Sequence, residues 1–112
     1  ANGQGVAQDF AEAMKWSRRA AAQGNSSGQN NLAAMYEKGL GCERDRVAAY
    51  ALYTVSVATA LSNTDAISQN RRAVAASMSR RQLDAGQRLV REMLELDSPL
   101  PALDMYLASK NR

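Results

Sequence analysis

Apolar and small residues return at steps of three and four along almost the whole chain. Phe10, Ala13, Met14, Ser17, Ala20 and Ala21 share one helical face, while Lys15, Arg18 and Arg19 fall elsewhere. Leu32, Met35 and Tyr36 carry a second helix from about Ser27 to Lys38, and Val47, Ala49, Tyr50, Leu52, Tyr53, Val57 and Ala60 a third after Asp45. A fourth covers roughly Asn63 to Ser77, with Ile67 in the place of Leu32. Leu83, Leu89, Val90, Met93, Leu94 and Leu96 give a fifth helix a wide apolar face. Leu103, Tyr106 and Leu107 keep helical spacing in a short tail from Ala102 to Lys110.

The punctuation between these stretches agrees with them. Asp9 with Glu12, and Ser79 with Gln82, have capping-box spacing and open helices. Gly24 suits a left-handed C-terminal cap, and the Ser26-Ser27 pair suits the N-cap that follows. Gly39 stops the second helix. Asp97-Ser98-Pro99-Leu100-Pro101 breaks the fifth, after which Pro101 can sit in the first turn of a new helix. The tail is too short to be a stable helix alone. It is expected to pack on the last helices around Val90 and Leu94, or in the groove of a neighbouring copy.

The pattern repeats with a period of 36 residues: Gly3-Gln4-Gly5-Val6 and then Asp9 return as Gly39-Leu40-Gly41-Cys42 and then Asp45. Trp16 aligns with Leu52 and Ala20 with Ser56. Self-similarity of this length marks a solenoid, in which each unit stacks on its neighbours. The expectation is an all-α solenoid of antiparallel helix pairs over residues 1–97, closed by a degenerate unit, with a proline-broken tail helix over 98–112. Gly39 and Gly41 bracket a tight loop that Val6 and Cys42, each in its own repeat, can pin into the core. Ala20 and Ala21 permit close helix approach, and Trp16 and Tyr36 read as fillers of wider gaps. Clean units number fewer than the roughly three a solenoid needs, so the helix around Met14, Trp16 and Ala20 is expected to expose apolar surface where an upstream helix would pack. Ala1 enters just before a repeat loop, and the chain reads as a piece of something longer.

Two runs carry a specific resemblance. Gly3-x-Gly5-Val6-x-x-Asp9-x-x-Glu12-Ala13-x-x-Trp16-x-x-x-Ala20-Ala21-x-x-Gly24-Asn25, and Gln29-x-Asn31-Leu32-Ala33-x-Met35-Tyr36-x-x-Gly39-x-Gly41, resemble the Sel-one-like repeat, a relative of the tetratricopeptide repeat. The likeness is strong over residues 3–58, weaker over 59–97 and absent from the tail. Ser17 stands where an aromatic is usual, Gly28 where alanine is usual, and Cys42 where valine is usual. The resemblance implies a right-handed superhelix of helix pairs acting as a protein-interaction scaffold. By analogy with bacterial members it also suggests a bacterial origin and an exported or periplasmic location. If the second repeat helix lines the groove, Ser27, Asn30, Ala34 and Glu37 face the partner, and the Asn30 amide can both donate and accept there.

Chemistry adds little to this picture. The chain has no histidine and one cysteine, which removes the commonest general base and any internal disulfide. Asp9 and Asp45 hold equivalent cap positions, and no carboxylate pair is spaced as a general acid and base. Gly3-x-Gly5 and Gly39-x-Gly41 lack the lysine of a phosphate loop. No catalysis, cofactor or metal site is expected. Net charge is +3, and Arg71, Arg72, Arg80, Arg81, Arg88 and Arg91 crowd the fourth and fifth helices. No aromatic residues interleave them to stack bases, so an acidic protein partner suits this patch better than nucleic acid. A protein or peptide partner is the expectation, with self-association through the exposed repeat face or the tail as a further one, and an end-cap role within a longer repeat protein as the alternative.

Overall fold

A computed structural model describes residues 3–60, 64–96 and 98–110, with side chains from residue 9 onward. Among these residues every regular element is a helix: α1 (Gly3–Ala22), α2 (Ser26–Lys38), α3 (Arg46–Thr59), α4 (Asp65–Ala76), α5 (Arg80–Glu95) and α6 (Leu100–Lys110). The arrangement is an α-helical solenoid. Consecutive helices pack against each other from α1 to α4, α5 lies on α3, and α6 turns back to touch both α5 and α1.

The centre is α3, because its sequence leaves it no polar side. Val47, Ala48, Ala49, Ala51, Leu52, Tyr53, Val55 and Ser56 are all buried, and α2, α4 and α5 surround them. A helix that is apolar nearly all round is stable only when enclosed. The flanking helices are one-faced. α5 contributes Gly86, Leu89 and Met93, and leaves Leu94 and Leu96 exposed, so its buried face is narrower than its sequence suggests.

Local signals set the joints. Gly39 takes a left-handed conformation (φ 71°) at the end of α2, and its N–H donates to the Met35 carbonyl. Gly41 (φ 74°) sits so close to α1 that a Cβ there would lie 2.9 Å from the Phe10 carbonyl oxygen. Asp45 then caps α3 by accepting from the Ala48 N–H at 3.0 Å, while its own N–H donates to the Tyr36 carbonyl at 2.8 Å. Ser79 and Gln82 form the capping box of α5. At the start of α2 the cap is Asn25, whose Oδ1 accepts from the Gly28 N–H at 2.8 Å, and the serine pair belongs to the helix.

Two contacts tie the pairs together. At Gly28, α2 crosses α1 so closely that a Cβ would lie 2.5 Å from Ala20 Cβ, which accounts for glycine at a place where alanine is usual in the resembling repeats. The next residue, the buried Gln29, donates from Nε2 to the Ala21 carbonyl (3.4 Å) and accepts at Oε1 from the Thr59 hydroxyl (2.8 Å). A buried amide satisfied on both sides costs little and fixes the register of its neighbours.

Three expectations need correction. Asp9 is an exposed residue inside α1, not a cap, and Gly3 and Gly5 are helical, not loop. The equivalent loop at Gly39–Asp45 is held by acceptors on the helix before it. Trp16 fills no gap and is 70% exposed, whereas Tyr36 is buried as expected. The tail docks on α5 and α1, while Leu94 of α5 stays exposed and Val90 packs half-buried against the core. The side chain of Val6 lies outside the described residues, while Cys42 packs half-buried against the core.

Candidate helix-binding groove

The face made by α1, α5 and the N-terminal end of α3 holds α6. Ser98 starts it, with Oγ accepting from the Leu100 N–H at 3.3 Å, and Pro101 lies in its first turn, where a missing N–H breaks no bond. Pro99, Ala102 and Leu103 are buried, and Tyr106 and Leu107 are half-buried. Full burial of a leucine contributes about 1.5–3 kcal/mol. Met105 points outward and is 72% exposed. α6 thus has no single apolar face, and its last turn is held by polar groups.

Asp45 is the focus of that hold. Its side chain is only 3% exposed. The Tyr106 hydroxyl lies 3.0 Å from both carboxylate oxygens, and the Lys110 ammonium lies 2.7 Å from Oδ2. With the Ala48 N–H, these donors satisfy a carboxylate that would otherwise be costly to bury. The bond to Asp45 holds the Lys110 ammonium above the ordinary lysine range against the opposing effect of burial. Burial, then the Asp45 charge, pushes the Tyr106 phenol well above the tyrosine range. At the other side, Arg18 of α1 reaches both oxygens of Asp104 at 3.0 and 2.9 Å. That pair is largely solvated and orients α6 more than it holds it.

Open space flanks the seated helix. A cleft of about 260 Å³ runs between α5 and α6 past Arg88, Leu89, Glu92 and Met105. Another of about 180 Å³ lies on the opposite side, between Tyr36, Cys42, Glu43, Leu107 and Lys110. The Cys42 thiol there is raised by burial and then by the Asp45 charge, which leaves it protonated and a poor nucleophile. Among the described residues no group of acidic, cysteine or histidine side chains is arranged to hold a metal, and no helix is long and apolar enough to cross a membrane.

The sequence-derived candidates lie elsewhere. Ser27 is exposed on α2, Ala34 is partly buried against the core, and Glu37 accepts from the Tyr53 hydroxyl at 2.7 Å. Asn30 is half-buried, and its Oδ1 is buried without a hydrogen-bond partner. None of the four bonds to α6 or lines the two clefts beside it. Of the arginines, Arg72, Arg80, Arg81, Arg88 and Arg91 are exposed and Arg71 is half-buried. Arg80 pairs with Asp84 at 3.7 Å, and Arg88 borders the larger cleft. Sequence reading missed Asp45 as an anchor, together with Arg18, Asp104 and Lys110. It gave Asp45 its cap role but no signal for partners 61 and 65 residues away.

Stacked antiparallel helices of this kind define the class of helical-repeat solenoids. The family model of the Sel1 repeat matches residues 1–25 and 26–55, and the chain belongs to that family. Sel1 repeats generally mediate protein–protein interaction, and proteins built from them are typically non-catalytic scaffolds. No curated protein and no solved structure matches the chain.

Proposed function

We propose that this chain is a non-catalytic adaptor that binds a protein or peptide segment in the groove of its solenoid. The observation that supports this most directly is that the face formed by α1, α5 and the start of α3 accommodates a helix through one buried carboxylate and a few apolar contacts. A second contact surface is the α2 stripe of Ser27, Asn30, Ala34 and Glu37, of which Ser27 is exposed and the others are half-buried. The arginines of α4 and α5 provide a basic flank for an acidic partner.

The test is retention by the immobilised full chain, followed across a salt series beside retention of the chain on heparin. A protein partner that survives salt and is lost with Asn30→Lys or Asp45→Lys supports the adaptor reading. Heparin retention that falls steeply with salt, with no protein retained, points to a phosphate-driven role. A chain that retains neither acts as an end-cap whose partner is its own solenoid.

A further inference from the structure

Resting on that adaptor reading, we infer that α6 is a resident self-ligand: the groove recognises a short helix carrying the pattern Leu-x-x-Tyr-x-x-x-Lys, and a partner segment of that chemistry enters by displacing α6. The pattern is read from the occupant. Leu103 supplies the buried apolar contact, and Tyr106 and Lys110, one helical turn apart, bring a hydroxyl and an ammonium to the same carboxylate. A buried acidic group with several acceptor positions is a selective receptor, because a segment lacking the hydroxyl and ammonium would leave its charge without a counter-ion.

Three observations favour a displaceable occupant over a fixed part of the core. The helix is 11 residues long, below the length at which helices persist alone, and it follows a proline-containing connection. Its buried contacts are concentrated at Pro99, Ala102 and Leu103, and its C-terminal half rests on polar bonds and half-buried side chains. Clefts of about 260 and 180 Å³ lie on either side of it, so the groove is wider than its occupant. An α6 that closes the groove for part of the time lowers the apparent affinity of any competitor by the fraction of time the groove stands open.

The experiment keeps the full chain. A fluorescein-labelled peptide of residues 98–110 is titrated by anisotropy into the wild-type chain and into a Tyr106→Phe/Lys110→Gln chain, whose own α6 has lost its anchors. The expected result is binding at least about ten-fold tighter by the variant, together with lost hydrogen-exchange protection in its α6 amides. A peptide carrying the same two substitutions, or Leu103→Asp, should bind neither chain. Equal affinities for both chains would overturn the inference, as would an α6 that stays protected in the variant. So would a freely exchanging α6 in a variant that binds no peptide. A variant that dimerises with rising concentration instead assigns the groove to a second copy, which also overturns it. Peptide binding without any retained partner protein in the capture experiment leaves the groove chemistry standing and removes the adaptor reading, so the two fail separately.

Discussion

Asp45 and Lys110 lie 65 residues apart in the chain and 2.7 Å apart in space, and the same carboxylate that starts α3 holds the end of α6. The two duties use different properties of the side chain. Capping needs an acceptor oxygen, whereas holding Lys110 needs a negative charge.

Asp45→Asn should therefore separate them. Asparagine caps as well as aspartate, so α3 should persist while the loss of the charge-assisted bond costs about 1–2 kcal/mol. Asp45→Ala removes the cap too and should cost about 1 kcal/mol more. Urea denaturation followed by circular dichroism measures both, and equal losses would show that the duties are not separable.

Alkaline pH should loosen α6. Lys110 and Tyr106 both bind their protons more tightly in the folded chain than their ordinary values of 10.5 and 10.0. A group with a raised pKa gives its full contribution below the unfolded value and loses it as pH climbs through the folded one. The docking of α6 should thus be constant to about pH 10 and weaken above it. Phenolate absorbance should show Tyr36, Tyr53 and Tyr106 ionising late, and Tyr106→Phe should remove one of those late steps.

Gly28→Ala tests the closest helix crossing. Alanine would favour the helix by about 1 kcal/mol on propensity alone. The new methyl, however, meets Ala20 Cβ at 2.5 Å and the Ala21 backbone nitrogen at 2.9 Å. A net loss of about 1–3 kcal/mol is expected from the forced shift, with partial recovery in the Ala20→Gly/Gly28→Ala double variant. A stabilised single variant would show that α1 can move aside freely.

The loop glycines should rank. Gly39→Ala meets only the Arg44 side chain at 3.3 Å and its backbone nitrogen at 3.4 Å, and should cost on the order of 1 kcal/mol for its left-handed backbone. Gly41→Ala has the same backbone penalty and adds a clash with the Phe10 carbonyl, so its melting temperature should fall further. The reverse order would contradict the loop geometry.

Trp16 reports on the outer face of α1. It is the only tryptophan in the chain, and its exposure should give a solvent-like emission maximum open to acrylamide quenching. Trp16→Gln should change stability by less than about 0.5 kcal/mol. A blue-shifted, unquenched emission would mean that another molecule covers this face.

What could be read from the sequence was what neighbouring residues decide among themselves. The Ser79–Gln82 box, the Asp45 cap and the stops at Gly24 and Gly39 depend on a few adjacent side chains, and all form. Asp9 has the same local pattern as Asp45 yet lies inside α1, so a capping spacing alone does not fix where a helix starts. Leu52 and Trp16 occupy one repeat position, yet Leu52 is fully buried and Trp16 exposed, since burial belongs to the neighbour and not to the position. The Asp45–Tyr106–Lys110 cluster is less legible still. Nothing in a cap, two prolines and a leucine spacing says which surface a returning helix will meet.

Gln29 has a consequence of a different kind. Its amide joins the end of α1 to the end of α3, so twisting one repeat against the next strains a hydrogen bond on each side of a single planar group. Apolar surfaces in contact can slide by a fraction of an ångström at little cost, but hydrogen bonds weaken steeply when bent. Gln29 thus concentrates the resistance to twist between the end of α1 and the end of α3 in one side chain.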